Sequence, residues 1–226
     1  GMSLPGSAVI PAPYREREQV SYETGKRIVG MVYEDLIPSK IMTRKAFENA
    51  VIVASAIGGS SNCTTHLCAI AKHMGIRFDL SDWQKLGHNI PLLVNCQPAG
   101  EYLMEGFHRA GAVPAVMKEL IKNKKIHTNI KTVTGKTVSQ NLRKKIDVDN
   151  KVIKSFKTSL ADKAGFLVMR SNFFSSAIMK TSVISKEFKN SYLSNPKNPN
   201  IFNCRAVVFE GPEDYHKRIN SKKLKI

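Results

Sequence analysis

The sequence predicts a mixed α/β fold, mainly helical at the front and strand-bearing at the back, and three observations predict it. Apolar residues recur at helical spacing between glycine and proline breaks from Tyr22 to Lys122. After Ala164 the period shortens to that of strands. Between the two lies a lysine-rich stretch, Asn123 to Ser159, that reads as a connection. With 226 residues and 42% apolar content, the chain can bury a substantial core as one large or two small domains.

Gly1 to Pro13 is punctuated by glycine and proline and predicts an extended entry. Tyr22 to Leu36 carries a helical pattern, with Ile28, Val29, Met31 and Val32 on or near one face, and Pro38 ends it. Thr43 is an N-cap for a second helix reaching about Ile57. Its run AVIVASAI is apolar nearly all round, so burial on several sides is expected. Another helix runs through Leu67, Ile70 and Met74, and Ser81-Asp82-Trp83 opens a short one in which Trp83 packs.

Pro91 to Asn95 is short, apolar and bounded by turn signals, as a buried strand would be. A helix is expected from near Glu101, and after Gly111 another from Ala115 to about Lys122, with Pro114 in its first turn. The lysine-rich connection holds one short helix, about Val138 to Lys144. Its segment TVTGKT is no phosphate loop, because that motif needs a glycine where Ile130 stands. Gly165 to Arg170 and Ala177 to Thr181 read as strands around the turn Ser171–Ser176, and Arg205 to Phe209 as a third. Short helices are expected at Lys186 to Leu193 and Glu213 to Ile219, and a loop at Ser194 to Asn200.

The chemistry-bearing stretch is Gly58-Gly59-Ser60-Ser61-Asn62, between two helical patterns. The glycines permit positive φ and close backbone approach, and the polar residues leave amide and hydroxyl donors at a helix start. Such a turn either holds an anion or simply caps a helix, and capping is the commoner use. Gly58, Gly59, Ser60, Ser61 and Asn62 are the candidate substrate-binding residues on the first reading. Just beyond them, Cys63, His66, Cys68 and His73 lie in one helical segment. His66 and His73 share a face but Cys68 points elsewhere, so a closed tetrahedral metal site is geometrically poor and no metal ligand is assigned. His108 and Arg109 read as packing and helix-end partners, and His216 as a capping or solvent-facing residue.

Charge is unevenly placed. Residues 1–116 hold 11 Lys/Arg against 10 Asp/Glu, and residues 117–226 hold 24 against 8, within a total of +17. Such a field draws anionic surfaces non-specifically. The lysines lack aromatic interleaving or a reader motif, so a solvated surface is the preferred reading and nucleic acid is not an expected partner. Four cysteines, Cys63, Cys68, Cys96 and Cys204, form no CxxC pair or small disulfide framework, which points to a reducing cytoplasm. No signal peptide is read in the first thirty residues, and the best apolar run, Ala50 to Ile57, is far too short to span a membrane.

The blocks GGSSN-x3-H and IPLLVNCQPAGEYLMEGFHRAGAVPAVMKEL, with GMSLPGSA, TVTGKT, AIMKTSVIS and VVFEGPEDYHKRI, resemble the dihydroxy-acid and sugar-acid dehydratase family, which also contains phosphogluconate dehydratase. DWQ, NCQPAGEY, SNFF-x2-AIMKTS and FEGPEDYH are most similar to its arabinonate or xylonate branch. The resemblance implies the mainly helical end of the family's N-terminal α/β domain over residues 1–158, with 123–158 connecting. It implies the incomplete opening of a C-terminal β-barrel-like domain over 159–226.

Family members remove water from a vicinal diol acid to give a 2-keto acid. An iron–sulfur cluster acts as Lewis acid, magnesium holds the substrate, and a serine alkoxide takes the α-proton. Metals suit both ends of the eliminated pair, because hydroxide leaves poorly and the α-proton of a carboxylate is weakly acidic. The resemblance places the cluster cysteines, first magnesium carboxylates and modified lysine before GMSLPGSA, and the serine base after VVFEGPEDYH. It therefore implies no catalytic residue and no cofactor on this chain alone. Ser61 keeps the hydroxyl of the common form GGSTN, whereas Cys63 and Cys68 match non-cysteine positions. Ser171 stands where the family usually has Gly, so a positive φ there would strain the turn.

The expectation is a hydro-lyase family member, here a middle piece that is inactive alone: a truncated gene product, a split subunit or an excised piece. It would take a sugar-acid substrate only with the missing segments, and would pair with a complementary chain or with another copy of itself. The alternative is a non-enzymatic interaction or regulatory module whose basic surface meets acidic partners or nucleic acid.

Overall fold

After a turn-rich entry the chain forms helix α1 (Glu16–Tyr33) in the computed structural model, which describes residues 1–197, 201 and 203–224. The helix starts earlier than the expected Tyr22, because Glu16 and Glu18 place acidic charge at its N-terminal end. It stops at Tyr33, and Asp35 takes a positive φ of 48°. Pro38 therefore opens the short helix α2 (Pro38–Ile41) instead of closing α1.

Helix α3 (Arg44–Ala56) buries Phe47, Asn49, Val51, Ile52, Ala54, Ser55 and Ala56, as its all-round apolar run predicts. It is followed by α4 (Asn62–His73) and α5 (Leu80–Gly87). Asp79 caps α5 in a reciprocal box, accepting from the Ser81 amide at 2.8 Å while the Asp82 carboxylate accepts from the Asp79 amide at 3.0 Å. Fully buried Trp83 meets Phe166 edge-on, with ring centroids 4.9 Å apart. Phe47, Val51 and Phe78 complete this cluster on one flank of α3.

On the other flank lies the larger cluster, in which Ile52 and Ala56 meet Leu93, Val94, Phe107, Val116 and Leu120. The expected strand Pro91–Asn95 is extended and buried, and it pairs by isolated bridges, Leu92 with Ala161 and Val94 with Ile153. The Leu93 amide also donates to the Ala56 carbonyl at the end of α3, at 2.8 Å. Residues 152–161 are thus the strand's partner, and Val133, Val138, Leu142, Val152 and Ile153 of the expected connection are core residues. Asn95 accepts from the Glu101 amide at 3.1 Å, winding residues 95–103 into a turn. For that reason helix α6 (Met104–Arg109) begins later than Glu101. Helix α7 (Ala112–Lys122) follows, with Pro114 in its first turn, and α8 (Val138–Asn141) is shorter than expected.

Strands β1 (Phe166–Met169) and β2 (Ala177–Lys180) form an antiparallel pair with Phe166 opposite Lys180. No closed barrel is present among the described residues. The hairpin is pinned to α5 by the Val168 amide, which donates to Gln84 Oε1 at 2.8 Å. Ser171 does not adopt a positive φ. Its hydroxyl instead accepts from the amides of Phe173 and Phe174 at 2.8 and 3.2 Å, a serine turn that needs no glycine.

Two compact units result, residues 1–183 and 184–226. In the second, α9 (Lys186–Tyr192) is capped by Ser185, and α10 (Pro212–Arg218) starts on a proline. None of its described residues is buried. Arg205–Phe209, expected as a third strand, is in no strand; a β run is a strand only beside a partner in register, and the assigned elements of this unit are helices. Of the expected loop 194–200, residues 194–197 are irregular and 198–200 lie outside the described residues.

A charged cluster ties α3 to its neighbours. The Arg44 guanidinium donates to Glu48 at 2.9 Å and to Asp82 at 2.5 Å, and His127 Nε2 lies 2.7 Å from Glu48. Burial by itself would raise the Glu48 carboxyl, but hydrogen bonds from Arg44 and His127 outweigh it and hold the group below its ordinary value. A carboxyl depressed on folding contributes stability above its unfolded value and loses it as the pH falls through the folded one. The denaturation midpoint of the chain should therefore fall as the pH drops below about 5, and Glu48→Gln should flatten that fall.

The backbone contact between Gly87 and Gly165 gives a second prediction. A Cβ on Gly165 would run into the Gly87 carbonyl, whereas one on Gly106 would meet only the Tyr102 side chain, at ordinary distances of 3.6 and 3.8 Å. Gly165→Ala should cost about 1–3 kcal/mol or more in denaturant unfolding, as overpacking does. Gly106→Ala, in a helix, should be neutral or gain up to about 1 kcal/mol.

Candidate functional site

Gly58 and Gly59 end α3. The Gly58 amide donates to Ser55 O at 3.2 Å and the Gly59 amide to Ala54 O at 2.7 Å, with Gly58 at φ 64°. This paired closure of the last carbonyls is a Schellman cap, so the two glycines do serve a helix end. The next three residues stand exposed where α4 begins. The Asn62 amide donates to Ser60 Oγ at 3.2 Å, and the Cys63 and Thr64 amides reach the carbonyls of Ser60 and Ser61, each at 3.1 Å. The amides that would greet an anion are engaged locally. The side chains of Ser61 and Asn62 make no hydrogen bond among the described residues.

Against this turn lies a segment distant in sequence. Lys180, at the end of β2, donates from Nζ to Gly58 O at 3.1 Å, and Thr181 Oγ1 donates to Gly165 O at 2.7 Å. A Cβ on Gly58 would come within 3.0 Å of Leu92 Cδ1 and 3.5 Å of Ser182 Oγ, so only glycine allows this approach. The Ser182 hydroxyl is buried and has no hydrogen-bond partner among the described residues. Two of the sequence blocks singled out above, GGSSN and AIMKTS, thus meet at Gly58, where a half-buried ammonium and a buried hydroxyl pack against the turn that leads into three exposed polar residues. Sequence reasoning named the first block's residues and missed Lys180 and Ser182, because the contact depends on hairpin register.

The other chemistry-bearing residues stay dispersed. Cys63 and Cys68 are half-buried against the Trp83 cluster, while His66 and His73 are exposed on α4. Burial pushes the Cys68 and Cys96 thiols above their ordinary value, which disfavours the thiolate that a metal or cluster requires. No three His, Cys, Asp or Glu side chains converge among the described residues. Among the described residues no side-chain set by itself fits an iron–sulfur cluster or a magnesium ion. TVTGKT is a tight turn whose donors are used internally: the Thr132 amide reaches Lys136 O at 3.0 Å, and Thr137 caps α8. Arg109 donates to Tyr14 and Glu105 at 2.8 and 2.6 Å, His108 packs edge-on against Tyr14, and His216 is exposed in the last turn of α10. No described helix is long and apolar enough to cross a membrane.

With this fold and this junction in place, the family assignment follows from comparison. Residues 1–141 match the family described as dihydroxy-acid/6-phosphogluconate dehydratase N-terminal, and the chain belongs to it. Over 226 residues, all of this chain, it is 51% identical to a D-xylonate dehydratase of Caulobacter vibrioides, covering 38% of that protein. An L-arabinonate dehydratase of Rhizobium leguminosarum bv. trifolii is 39% identical across the whole chain, which covers 37% of it. A dihydroxy-acid dehydratase of Flavobacterium psychrophilum is 48% identical over 142 residues, 63% of this chain and 25% of the relative. The chain thus spans less than two fifths of the length of these relatives.

The cap and the exposed serine separate by mutation. Gly58→Ala forces a left-handed residue against Leu92 and should cost about 1–2 kcal/mol in thermal or denaturant unfolding. Ser61→Ala removes no cap hydrogen bond and should change stability by less than about 0.5 kcal/mol.

Proposed function

We propose that residues 1–226 work within a hydro-lyase that removes water from a sugar acid of the xylonate or arabinonate class, giving a 2-keto acid. The observation that carries this reading is the junction of GGSSN with AIMKTS, closed by Lys180 on Gly58 O. A sugar acid presents one carboxylate and a row of vicinal hydroxyls. Lys180 brings a fixed positive charge for the carboxylate, and Ser60, Ser61 and Asn62 bring donors and acceptors for hydroxyls. Gly58 carries no side chain and so lets Leu92 and Ser182 pack against the turn. The similarity of the whole of this chain to part of a D-xylonate dehydratase, at 51% identity, supports that substrate class over a branched dihydroxy acid.

In this reading the chain binds and orients. The iron–sulfur ligands, the magnesium carboxylates and the serine base of the family come from outside residues 1–226, in a cytoplasmic protein, and residues 1–226 alone turn over nothing. Two assays test this. Purified residues 1–226 should form no 2-keto acid from D-xylonate, L-arabinonate or dihydroxy-isovalerate; turnover by this polypeptide alone would refute the division of labour. Grafted in place of the matching segment of the Caulobacter vibrioides enzyme, the same residues should support D-xylonate dehydration. A soluble, cooperatively folding graft that dehydrates none of the three acids would overturn the substrate class.

A further inference from the structure

Helix α7 and the loops beside it gather much of the chain's excess positive charge. Residues 117–163 hold 13 Lys/Arg against four acids, Glu119, Asp147, Asp149 and Asp162. On α7, Lys118 and Lys122 lie one turn apart on the same side. Lys118 Nζ donates to the Lys144 carbonyl, which sets Arg143, Lys144 and Lys145 beside the helix. The Phe156 amide donates to Glu119 Oε1 at 3.0 Å, which brings Lys157 to the helix as well. Lys122, Arg143, Lys144, Lys145 and Lys157 are all exposed.

The acids of the segment do not neutralise this face. Glu119 accepts from the Phe156 amide and, at 3.1 Å, from Asn123 Nδ2. Asp149 accepts from the Lys151 amide at 2.8 Å and Asp162 from the Ser159 hydroxyl at 3.3 Å, which leaves Asp147. Among the described residues none of the 13 cations forms an ion pair, and Glu34, the acid near Lys131, is held by Arg27. Like charges gathered without counter-charges repel one another, and an anionic partner relieves that repulsion.

We propose that this face docks an acidic polypeptide segment, its carboxylates lying along α7 between the two basic loops. The chemistry of the face selects a peptide over nucleic acid. Of the 13 cations, Arg143 is the one guanidinium, so the bidentate forks that grip phosphates are nearly absent. Apart from His127 the segment has one aromatic ring, Phe156, which packs on the core and offers no platform for a base. Ile121 and Ile146 are half-buried and Val148 is 40% exposed among the cations. Apolar side chains spaced between carboxylates can meet them, whereas a phosphate backbone cannot. This inference is independent of the substrate proposed above.

The test is fluorescence anisotropy of residues 1–226 with a labelled peptide of three Glu-Glu-Leu-Asp-Asp-Val repeats. The peptide should bind with a Kd below about 50 µM in about 0.1 M salt and be released in about 1 M salt, where the screening length falls to about 3 Å. The same peptide with Gln and Asn in place of its acids should not bind. Lys122→Glu, Lys145→Glu and Lys157→Glu together should weaken binding at least about 10-fold. Lys26→Glu, Lys72→Glu and Lys85→Glu, an equal change of net charge on α1, α4 and α5, should weaken it less than about 3-fold. All six lysines are exposed, so circular dichroism should be unchanged in both variants. Failure of the wild-type chain to bind at about 100 µM protein in about 0.1 M salt overturns the inference. So does equal weakening by the two triple substitutions, since the charge then acts diffusely, and so does tighter binding of a DNA duplex of equal charge.

Discussion

The first unit depends on the burial of one helix on both flanks. Helix α3 gives Phe47, Val51 and Ala54 to the Trp83 cluster and Ile52 and Ala56 to the cluster around Leu93 and Phe107. A helix used on two sides cannot shift toward one without opening the other, because cores are close-packed. Its polar residues follow the same logic. Asn49, buried within the apolar run, exchanges two hydrogen bonds of 2.8 Å with the backbone of His127, so its amide is satisfied and a loop is clamped to the helix. Ser55 turns its hydroxyl back to Val51 O at 2.8 Å and leaves room for Gly87.

From that helix the site follows by backbone contacts more than by side chains. The Schellman closure at Gly58 and Gly59 fixes where the chain leaves α3, and the Ala56 carbonyl holds the extended segment through Leu93. Leu92 then lies under Gly58, while the Gly87–Gly165 contact brings the hairpin against α5. Phe166, seated on Trp83, sets the register that places Lys180 opposite it and within reach of Gly58 O. A one-residue slip in that register would send Lys180 to the other face of the hairpin. The position of the ammonium is therefore a consequence of core packing around an indole.

What was legible in the sequence is what local rules decide. The all-round apolar run of α3, a short helix opening near Ser81, the Gly58 break and a turn at residues 171–176 are each read within a few residues. What was not legible needed a partner at long range. Residues 152–161 look like a lysine-rich connection because the bridged positions, Ile153 and Ala161, sit among charged neighbours; only Leu92 and Val94 opposite them make them core. The periodicity of α1 was visible, but a period does not say which way a face points, and this one points outward. The candidate site was half legible. GGSSN announces itself by composition, whereas Lys180 is one lysine among many until the hairpin folds.

The distribution of charge bears on how such a site could work. Residues 117–226 carry an excess of Lys over acid, so a single ammonium in that half gains no selectivity from its charge alone. Lys180 differs in having its Nζ held at 3.1 Å from a helix-end carbonyl, beside a buried hydroxyl and a glycine that admits no side chain. A carboxylate attracted by the surrounding lysines is screened within about 8 Å in physiological salt, whereas a partly buried contact is screened much less. The diffuse charge can raise the local concentration of an acidic substrate, but only the fixed ammonium can set its orientation. In the hydro-lyase reading proposed above, orientation is what the elimination needs, since the departing hydroxyl and the α-proton must be presented together to the reacting groups.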